Sequence, residues 1–371
     1  MPVVTGSRGR RVITGAGKGI GDGSGPGFGE AGRVPVVRRF APAIGGWPAG
    51  LALRIVALAD LHAARPWMTP DRLAGIVAAA NALRPDVVVL LGDYLATQRL
   101  QGRWLAMGEV APVLGGLCAP LGTWAVMGNH DWRRRSRDRR AGRDPGAVVE
   151  ALGAAGIGVL RNRAVRLAAP GDAVRLAASG DDARLAASGG ASRLAAPGDA
   201  VRLAASADDA RMAASGDAVR LAAPGDDARL AASGGAFWLA GLESQLSIDP
   251  DGGRGQDWRG GDDVDATLAD VSDDAPVILL AHEPDIFASL PSRVALTLSG
   301  HTHGGQVRPF GRPWARVIPS RYGTRYAWGH VVEDGRHLVV SGGLGCSGFP
   351  VRWGVPPEIT VIELGAGEGG A

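Results

Sequence analysis

Arg54-Ile55-Val56-Ala57-Leu58-Ala59-Asp60-Leu61-His62 is the stretch on which the fold turns. Its apolar run is too short for an ordinary helix and reads as a strand buried on both faces. The run stops at an aspartate, with a histidine two places on. Thr69-Pro70-Asp71 then starts a helix, Thr69 as its cap and Pro70 at its first position. That helix runs to about Leu83 and stops before Pro85. The same grammar repeats downstream. Asp86–Leu91 is a strand ending at Gly92-Asp93, and Gly122–Met127 is another, ending at Gly128-Asn129-His130-Asp131. A helix near Pro145–Ala154 and a strand near Gly158–Leu160 follow. Phe237–Leu242 is again a strand, Ala275–Ala281 ends at His282, and Val294–Leu298 ends at Ser299-Gly300-His301. His337–Val340 and Ile359–Leu364 complete the series. Strands alternating with helices predict a layered α/β domain over residues 51–365.

Three segments stand outside that pattern. Residues 1–50, rich in Gly, Arg and Pro, read as a flexible leader. Within them, Val12-Ile13-Thr14-Gly15-Ala16-Gly17-Lys18-Gly19-Ile20-Gly21 looks like the nucleotide-binding turn of short-chain dehydrogenases. That turn requires a helix whose N-terminus receives the pyrophosphate, and Asp22-Gly23-Ser24-Gly25-Pro26-Gly27 cannot supply one. Residues 166–237 are tandem nonapeptides, with Arg recurring at 166, 175, 184, 193, 202, 211, 220 and 229. Their alanine-rich units bury little apolar area and lack the calcium-binding nonapeptide spacing, so they read as an expanded surface hairpin inserted in the domain. A stacked β-solenoid is the alternative. Residues 250–274 read as a polar loop, and 366–371 as a tail.

Composition narrows the function. Hydrophobic residues make up 46% of the 371, enough for a sizeable core, and the formal charge of +3 is only mildly basic. The Arg133–Arg140 cluster reads as a solvated loop, and no nucleic-acid-binding module accompanies it. The two cysteines, Cys118 and Cys346, are too few and too far apart for a zinc ribbon or a disulfide scaffold. No apolar run reaches the length of a transmembrane helix. Arg10-Arg11 and Arg38-Arg39 are not followed by the apolar region of an export signal. The expected location is the cytoplasm, with peripheral contact at a membrane surface left open.

The chemistry lies in five motifs, each placed after an apolar strand: Asp60-Leu61-His62, Gly92-Asp93, Gly128-Asn129-His130-Asp131, His282, and Gly300-His301-Thr302-His303-Gly304-Gly305-Gln306. Taken singly, the Asp and Asn motifs also read as turns or caps and His282 as an ordinary polar residue, while the glycine-flanked His301 and His303 favour ligation. Taken together they hold five of the seven histidines. In α/β sheets, ligand sites form beyond the carboxyl ends of the strands, where loops distant in sequence meet. Imidazole, carboxylate and amide oxygen suit divalent first-row metals. A pair of such ions needs a bridging group, which an aspartate supplies, and can activate water for attack on a phosphoryl group.

These five blocks resemble the signature of the calcineurin-like metallophosphoesterases. Leu90-Leu91-Gly92-Asp93-Tyr94, Gly304-Gly305-Gln306 and Ser341-Gly342-Gly343-Leu344-Gly345 are similar to the bacterial YkuE-like branch, related to UDP-2,3-diacylglucosamine pyrophosphatases. The resemblance covers about residues 51–365 apart from the repeats. It implies an αββα sandwich of two mixed sheets and two divalent ions (Mn, Fe, Zn or Ni). Asp60, His62 and His303 would hold the first ion, Asn129, His282 and His301 the second, and Asp93 would bridge them. His130 would bond the phosphoryl oxygen or protonate the leaving group, and Asp131 would orient His130. The implied reaction is hydrolysis of a phosphodiester or phosphomonoester by metal-bound hydroxide in an in-line displacement. Two other readings stay open: a pyrophosphatase acting on a lipid-linked nucleotide sugar, and a repeat-mediated interaction protein with a vestigial enzyme fold.

Overall fold

A computed structural model describes residues 11–13, 17–19, 28–96, 102–132, 145–168, 235–246, 260–308 and 318–365. In chain order its strands begin with β1 (Arg11–Ile13), β2 (Gly17–Gly19), β3 (Phe28–Gly29), β4 (Val36–Phe40), β5 (Leu53–Leu58) and β6 (Ala64–Arg65). Then come β7 (Val87–Leu90), β8 (Arg103–Trp104), β9 (Thr123–Ala125), β10 (Gly158–Val159), β11 (Arg163–Ala168) and β12 (Ala236–Gly241). The last are β13 (Val277–Leu280), β14 (Val294–Ser299), β15 (Gly329–Glu333), β16 (Arg336–Val340), β17 (Val351–Arg352) and β18 (Glu358–Leu364). The helices are α1 (Pro70–Ala82), α2 (Met107–Leu114), α3 (Pro145–Ala154) and α4 (Val264–Ala269).

Two mixed seven-stranded sheets dominate, ordered β10-β9-β7-β5-β18-β4-β2 and β1-β15-β16-β14-β13-β12-β11. Alternation within single strands explains how they stack. Ile55 and Ala57 of β5 join Val87 and Val89 in a core shared with Leu239, Ile278, Leu280, Leu296 and Leu298 of the facing sheet. Val56 and Leu58 point the other way, to a second core with Ile76 and Ala80 of α1, Val110 and Leu114 of α2, and Leu152 of α3. On the far face of the second sheet, Trp238, Leu279, Val331 and Val340 pack with Phe287, Tyr326 and the α4 side. The layering is thus helix, sheet, sheet, helix. Thr69 caps α1 through a bond accepted from Arg72 N at 3.2 Å, with Pro70 at the first position, as the sequence predicts.

Three expectations need correction. The leader does not extend to residue 50: Val36–Phe40 lies parallel to β18, from Val36 opposite Glu358 to Phe40 opposite Ile362. Phe40 is buried in the intersheet core, and Arg39 pairs with Glu363 at 3.2 Å. The two consecutive arginines hide a strand, because both find carboxylate partners on β18. The polar loop over 250–274 contains α4: Asp263, read as a loop aspartate, accepts from Ala266 N at 2.9 Å and caps the helix. Strand β15, absent from the sequence reading, forms a tight hairpin with β16.

The dehydrogenase-like string behaves as its composition requires. Gly17–Gly19 is a strand antiparallel to β4, in place of a helix start. Most of the repeat block (169–234) lies outside the described residues, as does the tail 366–371. Its two flanks are informative: β11 and β12 are antiparallel neighbours, with Ala168 directly opposite Ala236. Among the described residues no helix is long and apolar enough to cross a membrane.

The placement of β4 yields a stability test. Phe40→Ala should destabilise the protein by about 3–5 kcal/mol, read as a shifted midpoint in urea unfolding. A midpoint like that of the parent protein would return Phe40 to the leader.

Candidate metal centre

Every strand that carries a motif ends at one edge of the sandwich. β5 delivers Asp60 and His62, β7 delivers Asp93, and the segment after β9 delivers Asn129, His130 and Asp131. From the second sheet, β13 delivers His282, and β14 delivers His301 and His303. The loops are laced to each other by their backbones: Asp60 N donates to Gly92 O at 3.1 Å and His62 N to Asp93 O at 2.9 Å. Five of these residues, Asp60, His62, Asp93, His301 and His303, carry positive φ between 43° and 69°. Such backbone is uncommon for residues with a Cβ and clusters where function holds strain. It lets side chains from short turns point back over the strand ends.

Two nitrogen-rich groups result, joined by one carboxylate. In the first, His62 Nε2 stands 3.0 Å from His303 Nε2, and His303 Nε2 stands 3.7 Å from Asp60 Oδ1. In the second, Asn129 Oδ1 lies 3.2 Å from His282 Nε2 and 3.1 Å from His301 Nδ1, the two histidine nitrogens being 3.2 Å apart. Asp93 Oδ2 reaches both groups, 3.4 Å from His62 Nε2 and 3.3 Å from His282 Nε2. Its other oxygen, Oδ1, accepts from His130 N at 2.8 Å, which fixes the carboxylate so that Oδ2 faces inward.

The donor set fits cations. Ring nitrogens facing each other at such distances need either a proton or a positive ion between their lone pairs. Among the described residues, Asp60 Oδ2 is buried without a hydrogen-bond partner. A Cβ on Gly300 or on Gly343 would stand 2.8 or 2.7 Å from that oxygen, so only glycine permits the close approach. His282 Nδ1 lies 2.6 Å from Leu91 O, a carbonyl that can only accept. Nδ1 therefore carries a proton and donates it, which turns Nε2 toward Asp93 and Asn129. Three triads, Asp60/His62/His303, His62/Asp93/His130 and Asp93/His282/His301, have ligand atoms within 4.8 Å of one another.

Electrostatics sets the buried groups apart. Burial, with the neighbouring Asp93 charge adding to it, pushes the Asp60 carboxyl up to about 7. Burial acts on Asp93 in the same direction, but His282, His130 and His62 together hold it well below the usual carboxylate range. His303 is lowered well below an ordinary imidazole by burial and by His62 and Arg352. His301 is likewise lowered by burial, whereas Asp93 overrides burial and raises His282 well above an ordinary imidazole. Positive charge is thus favoured beside Asp93, where a bound cation would take the proton's place.

All seven residues expected as ligands converge. His130 lies against the first group, its ring 4.8 Å from that of His62 in an edge-on arrangement. Asp131 reaches three backbone amides. Its Oδ2 accepts from Asp93 N at 2.8 Å and Gly128 N at 2.9 Å, and its Oδ1 accepts from Tyr94 N at 3.0 Å. Its carboxylate thus shapes the Asp93 loop. The remaining two histidines, His330 and His337, stack on each other with centroids 5.1 Å apart, away from the motifs.

The sequence reading missed Arg352. This fully buried arginine donates to the carbonyls of Gly345 at 2.8 Å and Gly342 at 2.9 Å, and its Nη2 lies 3.3 Å from His303 Nδ1. Its signal was an inverted strand pattern: Arg352 points in while Phe349 and Trp353 stand exposed. Taken as sequence, an arginine between Val351 and Trp353 reads as solvated.

Residues 53–166 match the family model described as calcineurin-like phosphoesterase. An uncharacterized metallophosphoesterase of Bacillus subtilis (strain 168), YkuE, is 43% identical over 109 residues, covering 28% of this chain and 36% of that protein. The chain thus spans little more than a third of that relative's length. Phosphodiesterase YaeI of Escherichia coli (strain K12) is 26% identical over 316 residues, 84% of this chain and 82% of YaeI. UDP-2,3-diacylglucosamine pyrophosphatase LpxG of Chlamydia muridarum (strain MoPn / Nigg) is 36% identical over 81 residues, 22% of this chain and 23% of LpxG. The matched stretch holds the strands that carry the first three motifs, so residues 53–166 are similar to calcineurin-like phosphoesterases, and YaeI extends the similarity over most of the chain.

Proposed function

We propose that the protein hydrolyses phosphate esters at a two-metal centre, with Asp60, His62 and His303 holding one ion, Asn129, His282 and His301 the other, and Asp93 between them. The observation that carries this reading is the position of Asp93 Oδ2, within 3.4 Å of one nitrogen group and 3.3 Å of the other. Two divalent ions so held would polarise the phosphoryl oxygens and supply a hydrolytic nucleophile from water at neutral pH.

The chain's own residues do the rest. The cage orients a phosphoryl group over the strand ends, and the burial of its ligands keeps competing water out. His130, whose backbone amide is tied to Asp93 while its ring borders His62, is placed to bond a phosphoryl oxygen or to give a proton to the departing oxygen. Asp131 acts one step back, fixing the amides of Gly128, Asp93 and Tyr94.

A second reading narrows the substrate to a lipid-linked nucleotide pyrophosphate. It is supported by the similarity to LpxG and by Phe349 and Trp353, large apolar side chains 61% and 68% exposed on the segment beside the His303 turn. Contact with a membrane surface, from a cytoplasmic location, would bring such a substrate to the site.

The two-metal reading predicts a contrast. Asp93→Asn should abolish both metal loading and phosphodiester hydrolysis, while His130→Ala should cut turnover about 10²–10⁴-fold with metal content near normal. Elemental analysis beside a steady-state assay checks both. Loss of metal from the His130 variant would make it a ligand instead, as the His62/Asp93/His130 triad permits. For the lipid-linked reading, UDP-2,3-diacylglucosamine should turn over faster than a simple phosphodiester; slower turnover refutes it. Replacing residues 169–234 by a short turn should leave metal content and hydrolysis unchanged, since Ala168 and Ala236 already face each other. A collapse of activity would instead support the repeat block as the working part.

A further inference from the structure

Arg308 sits on the metal-site turn with most of its donors unspent. A guanidinium offers five N–H groups. On Arg308, Nε donates to Gly304 O at 2.6 Å, and the group lies over the Trp328 ring, 4.5 Å from its centroid. Among the described residues, neither Nη nitrogen has a hydrogen-bond partner. The side chain is nonetheless half-buried, and burial pulls it below the ordinary guanidinium range, with Glu358 opposing and Arg38 adding to that effect. Neither Nη is among the fully buried polar atoms that lack a partner, so both are open to solvent and to a ligand oxygen.

Its position is fixed from several sides. Arg308 N donates to Trp353 O at 2.7 Å, and Trp353 N to Gln306 O at 3.0 Å. The Gln306 side chain in turn bonds Ser347 N at 2.7 Å and Ser347 O at 3.0 Å. Nη2 lies 3.5 Å from where a Cβ on Gly304 would stand, and Gly304 directly follows His303. The nearby carboxylate does not neutralise it: Glu358 accepts from Gly342 N at 2.8 Å, Trp328 Nε1 at 3.0 Å and Thr360 Oγ1 at 3.2 Å, and pairs with Arg38 Nε at 3.9 Å. The Arg38 guanidinium lies 5.3 Å from the same Trp328 ring, so two guanidiniums share that ring beside one carboxylate.

We propose that Arg308 is a specificity-determining residue that grips a second phosphoryl group of the substrate, next to the one held at the histidine cage. This rests on the phosphate-ester reading above and deepens it, assigning the site to substrates with two adjacent phosphoryl groups, such as pyrophosphate-linked diesters. A planar fork with two free Nη groups matches phosphate oxygens in paired hydrogen bonds, which a lysine ammonium cannot reproduce. The competing explanation is that Arg308 only staples the Gly304 turn through Nε.

The test compares substrates on the metal-loaded full chain. Arg308→Gln should lower kcat/KM for uridine diphosphate glucose about 10- to 100-fold and leave bis(4-nitrophenyl) phosphate within about threefold. Arg308→Lys should recover only part of the loss. Equal losses on both substrates, or no loss on either, would overturn the proposal. If the parent protein hydrolyses neither compound, the hydrolase reading fails separately, and calorimetry still decides the role of Arg308. Arg308→Gln should then weaken binding of α,β-methylene-ADP at least about tenfold while sparing phenylphosphonate. Unchanged affinity for both, or equal weakening, refutes the assignment.

Discussion

The orientation of one carboxylate organises this protein. Asp93 is locked from behind, by the His130 amide on its Oδ1 and by Asp131 on its own amide nitrogen. What remains free is Oδ2, aimed between imidazoles that come from opposite sheets. A carboxylate carried on a loose loop would share its charge with water and its geometry with many rotamers. Here the backbone itself is bent into the left-handed region to hold it. The sandwich explains how that strain is sustained: strands apolar on both faces pack between two sheets and a helical layer, and the loops above them inherit that rigidity.

Much of this was legible in the residues alone, for a definite reason. The buried strands declare themselves as short apolar runs, and each motif sits where its run ends, so order and location come together. The Thr69-Pro70 helix start is equally local chemistry. What escaped was either nonlocal or disguised. Strand Val36–Phe40 lies between Gly- and Pro-rich stretches and carries two arginines whose partners, Glu358 and Glu363, are over three hundred positions away. Asp263 stood among other aspartates, and nothing in the string marked it as the one that caps a helix. Asp131 was recognised as a site residue, but its task depends on which amides lie within reach, and that is a property of the folded loops.

Arg352 and Arg308 show the same limit from the other side. Arginine is usually counted as a surface residue. Arg352 instead gathers the carbonyls of the Gly342–Gly345 turn, while Arg308 stacks on Trp328 and hooks the turn of His303. Both work as tethers between the glycine-rich turns and the segment around Trp353. Glycine lets those turns come close to Asp60, and the arginines keep them from wandering.

The opposition of Ala168 and Ala236 has a consequence for the gene as well as the fold. Tandem coding units are prone to gain or lose copies during replication, and a change of nine residues enters and exits this protein through a single rung of a ladder. No strand of either sheet has to shift register to accommodate it.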